Sequence, residues 1–509
     1  MIIRNWMGRR GLLAIVTAVH FLGISLLQVS PVSAADGDVI ACTPDYNISQ
    51  SPDLTSGDPF LVNDPAGLVH LFWAERVTVD ANALSNVPDA VMYSVWNGRS
   101  WSNPIDIFLS PREFFNRRVN GIRAFLDEER ILHLLWQGPD NTLYYSNVPA
   151  DDARSARAWQ EPILLASDEA GAQFSAHLAY EPPATLHVLY GQGILNTEHR
   201  SVVYIRSTDG GDTWTEPVTL RRMVEVGRGP SNVRLLVDPP NRLYATWTEW
   251  DMTGNGQAVY FARSLDSGLT WSEPVTLDER QGDEYERDWT TLAVLGDEQL
   301  VAFWEGGYRA YRQAQYSSDG GDTWSQPTDT LDWLIADNGF AEFARDGSGR
   351  LHLFVLQRVR EGNDDKGRRE GLWHTVWEGG QQWREPQLIG NQTPANLVSV
   401  EISGGNQLFA ATFGTFDYEI YIRRCTIEGA AMIDPEPEIT TSLTREAEDV
   451  TDDATISLEV TGEALAPLPE SDVAPAPQVS PREPLLLGIT GPLLLIVLTV
   501  TAYLLRRRG

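Results

Sequence analysis

The chain has 509 residues, enough for a large core, with 42% hydrophobic and 10% aromatic residues and a formal net charge of −31. That charge excludes nucleic acid as a partner, because binding it needs basic surface to neutralise phosphate. Cys42 and Cys425 are the only two cysteines.

Residues 1–35 read as a cleavable secretory signal. Arg4, Arg9 and Arg10 give a basic start, an apolar run extends from Gly11 to Val29, and Val32-Ser33-Ala34 precedes Ala35. The mature chain is therefore expected outside the cytoplasm, where a disulfide persists. "GDVIAC" (37–42) follows as a lone short strand.

From there to about residue 427 the sequence alternates in short strand-like runs bounded by Gly, Pro, Asn and Asp, with almost no helical periodicity. One phrase of six residues returns seven times: LVHLFW (68–73), ILHLLW (131–136), TLHVLY (185–190), RLYATW (242–247), QLVAFW (299–304), RLHLFV (350–355) and QLFAAT (407–412). Trp-x-x-Pro falls once in each interval, at Trp101, Trp159, Trp214, Trp271, Trp324 and Trp383. One unit then holds four strands, A to D, as in NVRLLVD (232–238), RLYATW, AVYFARS (258–264) and TWSEPVTL (270–277). Four-stranded units repeated at about 50 residues predict an all-β fold, a β-propeller.

Seven B strands against six D strands leave the last blade, LVSVEIS (397–403), QLFAAT and EIYIRRC (419–425), without an outer strand. The spare N-terminal strand fits that gap and would set Cys42 beside Cys425. Seven blades closed by the N-terminal strand and a disulfide are expected, with six as the alternative.

After the propeller (36–430), residues 431–484 carry thirteen Asp or Glu against Arg445 and Arg482, several prolines and no aromatic residue. Such a stretch cannot offset its ordering entropy by burial and reads as an extended disordered stalk. Leu485–Leu505 is a 21-residue apolar run, long enough at about 1.5 Å per residue for a transmembrane helix. Arg506-Arg507-Arg508 within the tail 506–509 mark its cytoplasmic side.

Ser-x-Asp-x-Gly-x-Thr-Trp occurs at 207–214, 264–271 and 317–324, each time in the turn between strands C and D. A site made in triplicate is not a single active site. Asp209, Asp266 and Asp319 are read as turn locks accepting backbone N–H groups two or three residues on. Gly211, Gly268 and Gly321 supply permissive backbone, and Trp214, Trp271 and Trp324 pack back on the sheet. The degenerate copies SVWNGRSW (94–101) and TVWEGGQQW (375–383) keep Gly and Trp and lose the Asp. His70, His133, His187 and His352 share one B-strand position and are repeat positions, not a metal cluster; no metal site and no cofactor is expected.

The triplicate motif resembles the Asp-box of the sialidase (neuraminidase) superfamily, a resemblance that spans roughly residues 37–427. It implies a propeller acting on or binding acidic, sialic-acid-type glycans. Active members carry an Arg in a Phe/Tyr-Arg-Ile-Pro motif, three arginines on the substrate carboxylate, a Tyr-Glu nucleophile pair and an Asp acid/base. This sequence has no such tetrapeptide, and SGDPFLVND (56–64) holds no Arg, so none of those residues transfers by match.

A ligand is expected at the centre of the ring, on the face where A strands begin. Asp58, Asn120 with Arg123, Ser231 and Asn232 with Arg234, Arg287 with Asp288, Asn338 and Asn396 sit at those starts. Arg123, Arg234 and Arg287, with Asp58, are candidate substrate-binding residues, because Arg grips carboxylate bidentately; rim salt bridges are the plainer alternative. In GDEYERDW (282–289), Tyr285 activated by Glu284 is a candidate nucleophile and Asp288 a candidate acid; a solvated charged loop is the alternative. Two functions stay open: an exported, membrane-anchored exo-sialidase-type hydrolase or binder of acidic glycans, and a non-catalytic surface propeller for a protein or polysaccharide.

Overall fold

The computed structural model describes residues 40–435 apart from 52–53, 78–88, 111–118, 139–141, 168–171, 194–199, 225–226, 283, 285, 307–310, 332–339, 358–370, 391–393 and 415–416. The signal segment, most of the acidic stretch and the C-terminal apolar run lie outside the described residues. Among those described, no helix is long and apolar enough to cross a membrane.

The repeated six-residue phrase is largely apolar because its strand is the second of four and is covered on both faces by the neighbouring blades. In Ile131–Gln137 every residue after Ile131 is buried, as expected for strands buried on both faces. Blade 1 pairs Leu54–Asp64, Leu68–Val77, Ala90–Trp96 and Ile105–Leu109 in order from the axis outward. Blades 2 to 6 repeat this order, beginning at Asn120, Ala172, Gly229, Asp288 and Ala341. Blade 7 is Pro394–Ser403, Gln407–Gly414 and Ile420–Ile427, and its fourth place is taken by Ile40–Cys42 and Tyr46–Asn47 from the start of the chain. The ring therefore has seven blades, and the six-blade alternative is discarded.

Closure is held by more than strand pairing. Cys42 lies opposite Cys425 in the register and the two form a disulfide. Arg423 clasps the Asp45 carboxylate through Nε (2.6 Å) and Nη2, and Glu419 accepts the backbone N–H of Ser51 (3.0 Å) and the Ser49 hydroxyl.

Between blades, the Trp of each Trp-x-x-Pro reaches the blade before it. Trp101 meets Phe409, Trp159 meets Phe72, and Trp214, Trp271 and Trp324 meet Tyr145, Tyr204 and Phe261 edge-on at 5.2, 5.0 and 4.9 Å. In the sixth case the Trp383 indole N–H donates to the Tyr316 hydroxyl (2.8 Å). Aromatic pairs of this kind contribute about 0.5–1.5 kcal/mol each beyond the area they bury.

The Asp-box carboxylates accept differently from the expected two- or three-residue span. Asp209 Oδ1 takes the N–H of Thr213, four residues on (2.9 Å), and the Ser207 hydroxyl (2.7 Å), while Oδ2 takes the Thr213 hydroxyl (2.5 Å); Asp266 and Asp319 repeat this. The glycine matters for its missing Cβ: one added at Gly268 would lie 1.9 Å from the Tyr204 hydroxyl, and one at Gly211 would lie 2.1 Å from that of Tyr145. The box is thus a socket for the ring of the preceding blade.

Residues 431–435, read from sequence as the start of the stalk, pack on the ring. Ala431 N–H donates to the Ser348 hydroxyl (2.9 Å) and Ile433 N–H to the Gly404 carbonyl (3.0 Å), both in turns between A and B strands, and Pro435 lies against Gly67. Their apposition to these turns leaves the chain at the end of the propeller opposite the A-strand starts.

Two outcomes follow from these contacts. Reduction, or Cys425→Ala, is expected to lower stability by up to about 6 kcal/mol, the chain-entropy limit for so long a loop, read as a fall in melting temperature; an unchanged midpoint would remove the disulfide from ring closure. Gly268→Ala is expected to cost about 1–3 kcal/mol more than Gly98→Ala, since a Cβ at Gly98 meets nothing within 4 Å while both positions have positive φ. Equal denaturation midpoints for the two variants would contradict the socket.

Candidate functional site

In six of the seven blades the A strand breaks its register at the same place among the described residues. In blade 1, Gly57 pairs with Ala74 and Phe60 with Phe72, so Asp58 and Pro59 together face Trp73. Blades 2, 4 and 5 carry the same two-against-one bulge opposite Trp136, Trp247 and Trp304. Its first residue is left-handed: Asp58 (φ 50°), Gly121 (59°), Asn232 (48°) and Trp289 (52°). Asp and Asn tolerate this conformation, whereas for Trp it is a strained one held by its surroundings. Bulges re-aim side chains and recur beside functional sites.

Just inside the bulges, the residue opposite the fifth position of each B phrase is Phe60, Arg123, His177, Arg234, Thr291, Glu342 or Ser399. Six of these seven line an axial cavity of about 220 Å³, together with Asp58, Asn120, Gln137, Asn232, Phe340 and Glu401. One register of a repeated fold thus carries six different side chains in seven blades, with Arg occurring twice.

The two cations differ. Arg234 donates through Nη2 to Glu342 across the cavity (2.8 Å) and through Nε to the Thr290 carbonyl (3.3 Å), and lies over the Phe340 ring. Arg123 donates through Nη1 to the Ile122 carbonyl (2.7 Å) and lies over Phe60, but its Nε is buried without an acceptor. Among the described residues it makes no salt bridge. Burial, and after it the facing Arg234, lowers its pKa to about 10, so it remains a cation at neutral pH. His177 is held neutral, chiefly by burial and then by both arginines, and its Nδ1 has no partner.

Of the residues picked from sequence, Asp58, Asn120, Arg123, Asn232 and Arg234 come together in this cavity. Asp58 accepts the Gly121 N–H from the next blade (3.3 Å). Arg287 does not join them. Its guanidinium pairs with Asp278 (2.6 Å) and Glu284 (2.6 Å); Arg287 lies before the bulge of its strand, whereas Arg123 and Arg234 lie after theirs, and Thr291 holds their register in blade 5. Glu284 is therefore an ion-pair partner, and its pKa is lowered, first by the Gln281 N–H and then by Arg287.

Asp288 sits behind the cavity wall. It accepts from the Asn232 amide, the Trp250 indole N–H (2.8 Å) and the Trp289 N–H (2.8 Å), and burial drives its pKa well above the carboxylate range. It holds Asn232 in place and does not line the cavity. Tyr285, Asn338 and the Asn396 side chain lie outside the described part of the structure.

His177, Glu342 and Glu401 were not singled out in the sequence. They lie within the A strands, and attention to strand starts passes over them. Counting inward to the position of Arg123 and Arg234 in each blade is the signal that would have found His177 and Glu342.

The four B-strand histidines occupy another polar device. His133 Nδ1 meets the Tyr145 hydroxyl (2.6 Å) and its Nε2 meets Asp127 (3.1 Å); Tyr145 in turn donates to the Gly210 carbonyl of the next blade's Asp-box (3.0 Å). His70 and His187 repeat the carboxylate–imidazole–tyrosine order, and His352 replaces the tyrosine with His374.

No protein-family model matches the chain and no curated protein matches it in sequence. Among solved structures it is similar to a Hadza microbial sialidase, at 13% identity over 76% of this chain and 69% of that one with a TM-score of 0.42. It is also similar to a Penicillium chrysogenum alpha-L-arabinanase complexed with arabinobiose (12%, 64% and 98%, 0.45) and to an ulvan lyase of polysaccharide lyase family 25 (12%, 74% and 95%, 0.45). At these values the likeness says nothing about which residues act or on what.

The Asp-box carboxylates titrate as structural groups. Hydrogen bonds, first from the Thr213 or Thr323 hydroxyl, bring Asp209 and Asp319 from 3.8 to about 2. A lowered folded-state pKa stabilises fully above the unfolded value and loses that contribution as pH falls toward the folded one. Asp209→Asn is therefore expected to be less stable than the parent near neutral pH, with the difference shrinking between about pH 4 and pH 2. A difference independent of pH in urea titrations would show that the carboxylate's charge is not what locks the turn.

Proposed function

We propose that the chain is an exported, membrane-anchored propeller that binds the carboxylate-bearing end of an acidic glycan, of sialic-acid type, in its axial cavity. One observation carries this reading: the Arg123 guanidinium lines the cavity with an orphan Nε and no salt bridge among the described residues, only the longer-range attraction of Glu342 and Asp58. A partly desolvated cation without a hydrogen-bonded counter-ion is costly, and a carboxylate meets a guanidinium with two parallel hydrogen bonds. Arg234 lies in the same cavity, its charge shared with Glu342.

The cavity's size favours a single sugar ring over a chain interior. Pockets for drug-sized ligands start at about 300 Å³, and this one is about 220 Å³. Phe60, Phe340 and Phe343 in the lining offer apolar faces to a pyranose. The reading commits to binding, which the cavity's cations support; Tyr285, the candidate nucleophile of the hydrolytic alternative, lies outside the described residues. Export and anchoring rest on the signal-like N-terminus and the apolar run 485–505.

Calorimetric titration of the purified full-length protein is expected to show binding of N-acetylneuraminic acid or glucuronic acid and none of glucose. Arg123→Gln is expected to weaken it at least about tenfold, from loss of a charge-assisted hydrogen bond. Absence of any acid-sugar binding would end this reading, and release of the fluorophore from a sialoside above background would replace it with the hydrolytic one.

A further inference from the structure

One carboxyl group in the cavity has no assigned use. Glu401 lies two residues beyond the Ser399 register, opposite Phe409. The same register in the other blades is apolar: Val62, Phe125, Ala179, Leu236, Ala293 and Ala344. A carboxyl in a layer otherwise built to be dry is a departure from the repeat, and it lines the cavity. Among the described residues no hydrogen bond reaches it.

The charged and titratable groups it faces come from five blades. Asp58 and Glu342 are acids, Arg123 and Arg234 are cations, and His177 is a neutral imidazole. Glu342 is engaged with Arg234, and the register position of blade 5 is Thr291, which is uncharged.

Building on the reading of the cavity as a carboxylate site, we propose that Glu401 is its specificity-determining floor: a neutral carboxyl that donates its O–H to the bound acidic sugar, so that binding is linked to one retained proton. Burial, with the nearby Glu342 charge second, raises the Glu401 pKa to about 8. A carboxylic acid kept neutral at pH 7 by a low-dielectric site acts as a hydrogen-bond donor. Ionised, the same group would place a second negative charge against an anionic ligand and offset Arg123. The sign is fixed: a raised pKa leaves Glu401 neutral and binding intact below about 8, and binding fades as pH rises through that value.

The test titrates N-acetylneuraminic acid, whose own carboxylate is ionised throughout, into the full-length protein between about pH 6 and pH 9.5, a range in which Arg123 keeps most of its charge. In the parent, affinity is expected to be level up to about pH 8 and then to approach a tenfold fall per pH unit. Glu401→Gln, which keeps a donor and cannot ionise, is expected to give a flat profile. Binding enthalpies of the parent in two buffers of different ionisation enthalpy give the proton count without any variant: uptake approaching one proton near pH 9 supports the proposal. A flat parent profile with zero proton uptake, or an identical fall in Glu401→Gln, overturns it while leaving the carboxylate site standing. Absence of binding by the parent at every pH overturns both.

Discussion

Ring closure is the constraint on which everything else in the molecule depends. A run of six complete blades and one three-stranded remnant has an open sheet edge and no fixed axis, so the A strands would have no reason to meet. Pairing Ile40–Cys42 with Ile420–Ile427 supplies the missing strand and leaves the ring without an unpaired seam, the usual remedy for edge strands in all-β folds. Locking that pairing by a disulfide and by the Arg423–Asp45 clasp puts the strongest local restraints where the chain's ends join. The cavity exists because seven A strands are then held at one radius.

Within the ring, repetition and exception do different jobs. The repeated elements, Trp against the preceding blade, glycine under its aromatic ring, and carboxylate–imidazole–tyrosine chains, all tie one blade to the next. Each is modest alone, and the fold takes its rigidity from their number. Where a blade lacks the Asp, as at Trp383, the indole still finds its neighbour. This explains how the motif can decay without loss of the blade.

The exceptions collect at the axis. Seven strands present six kinds of residue at one register, and the bulges above it turn Asp58 and Asn232 toward the same space. Two cations and three acids share a small volume, which is electrostatically expensive unless charges pair, are shed as protons, or meet a ligand. Arg234 and Glu342 pair, burial suppresses the charge of His177 and Glu401, and Arg123 keeps only the longer-range attraction of Glu342 and Asp58, with no salt bridge among the described residues. A guanidinium so placed is what the proposed acidic ligand would meet.

The sequence by itself determined the propeller and the structural role of the Ser-x-Asp-x-Gly-x-Thr-Trp turns, and favoured seven blades over six, a count that the strand pairing then decided. Those features are written in local periodicity: six-residue apolar phrases, turn residues at fixed offsets, and one strand too many at the N-terminus. It also picked out Arg123, Arg234 and Asp58, since charged residues at inner-strand starts stand out against an apolar pattern. Only the tertiary structure decided that Arg287 pairs with Asp278 and Glu284, away from the other two arginines, and that Asp288 is buried behind Asn232. Both stand before the bulge of their strand, whereas Arg123 and Arg234 stand after theirs, and it is the pairing register that separates the two sides. His177 and Glu342 share the register of Arg123 and Arg234 and Glu401 lies two residues beyond it, but nothing local marks any of the three. Each is an ordinary polar residue in its own strand, and becomes part of a site only when the closed ring brings five other blades within reach of it.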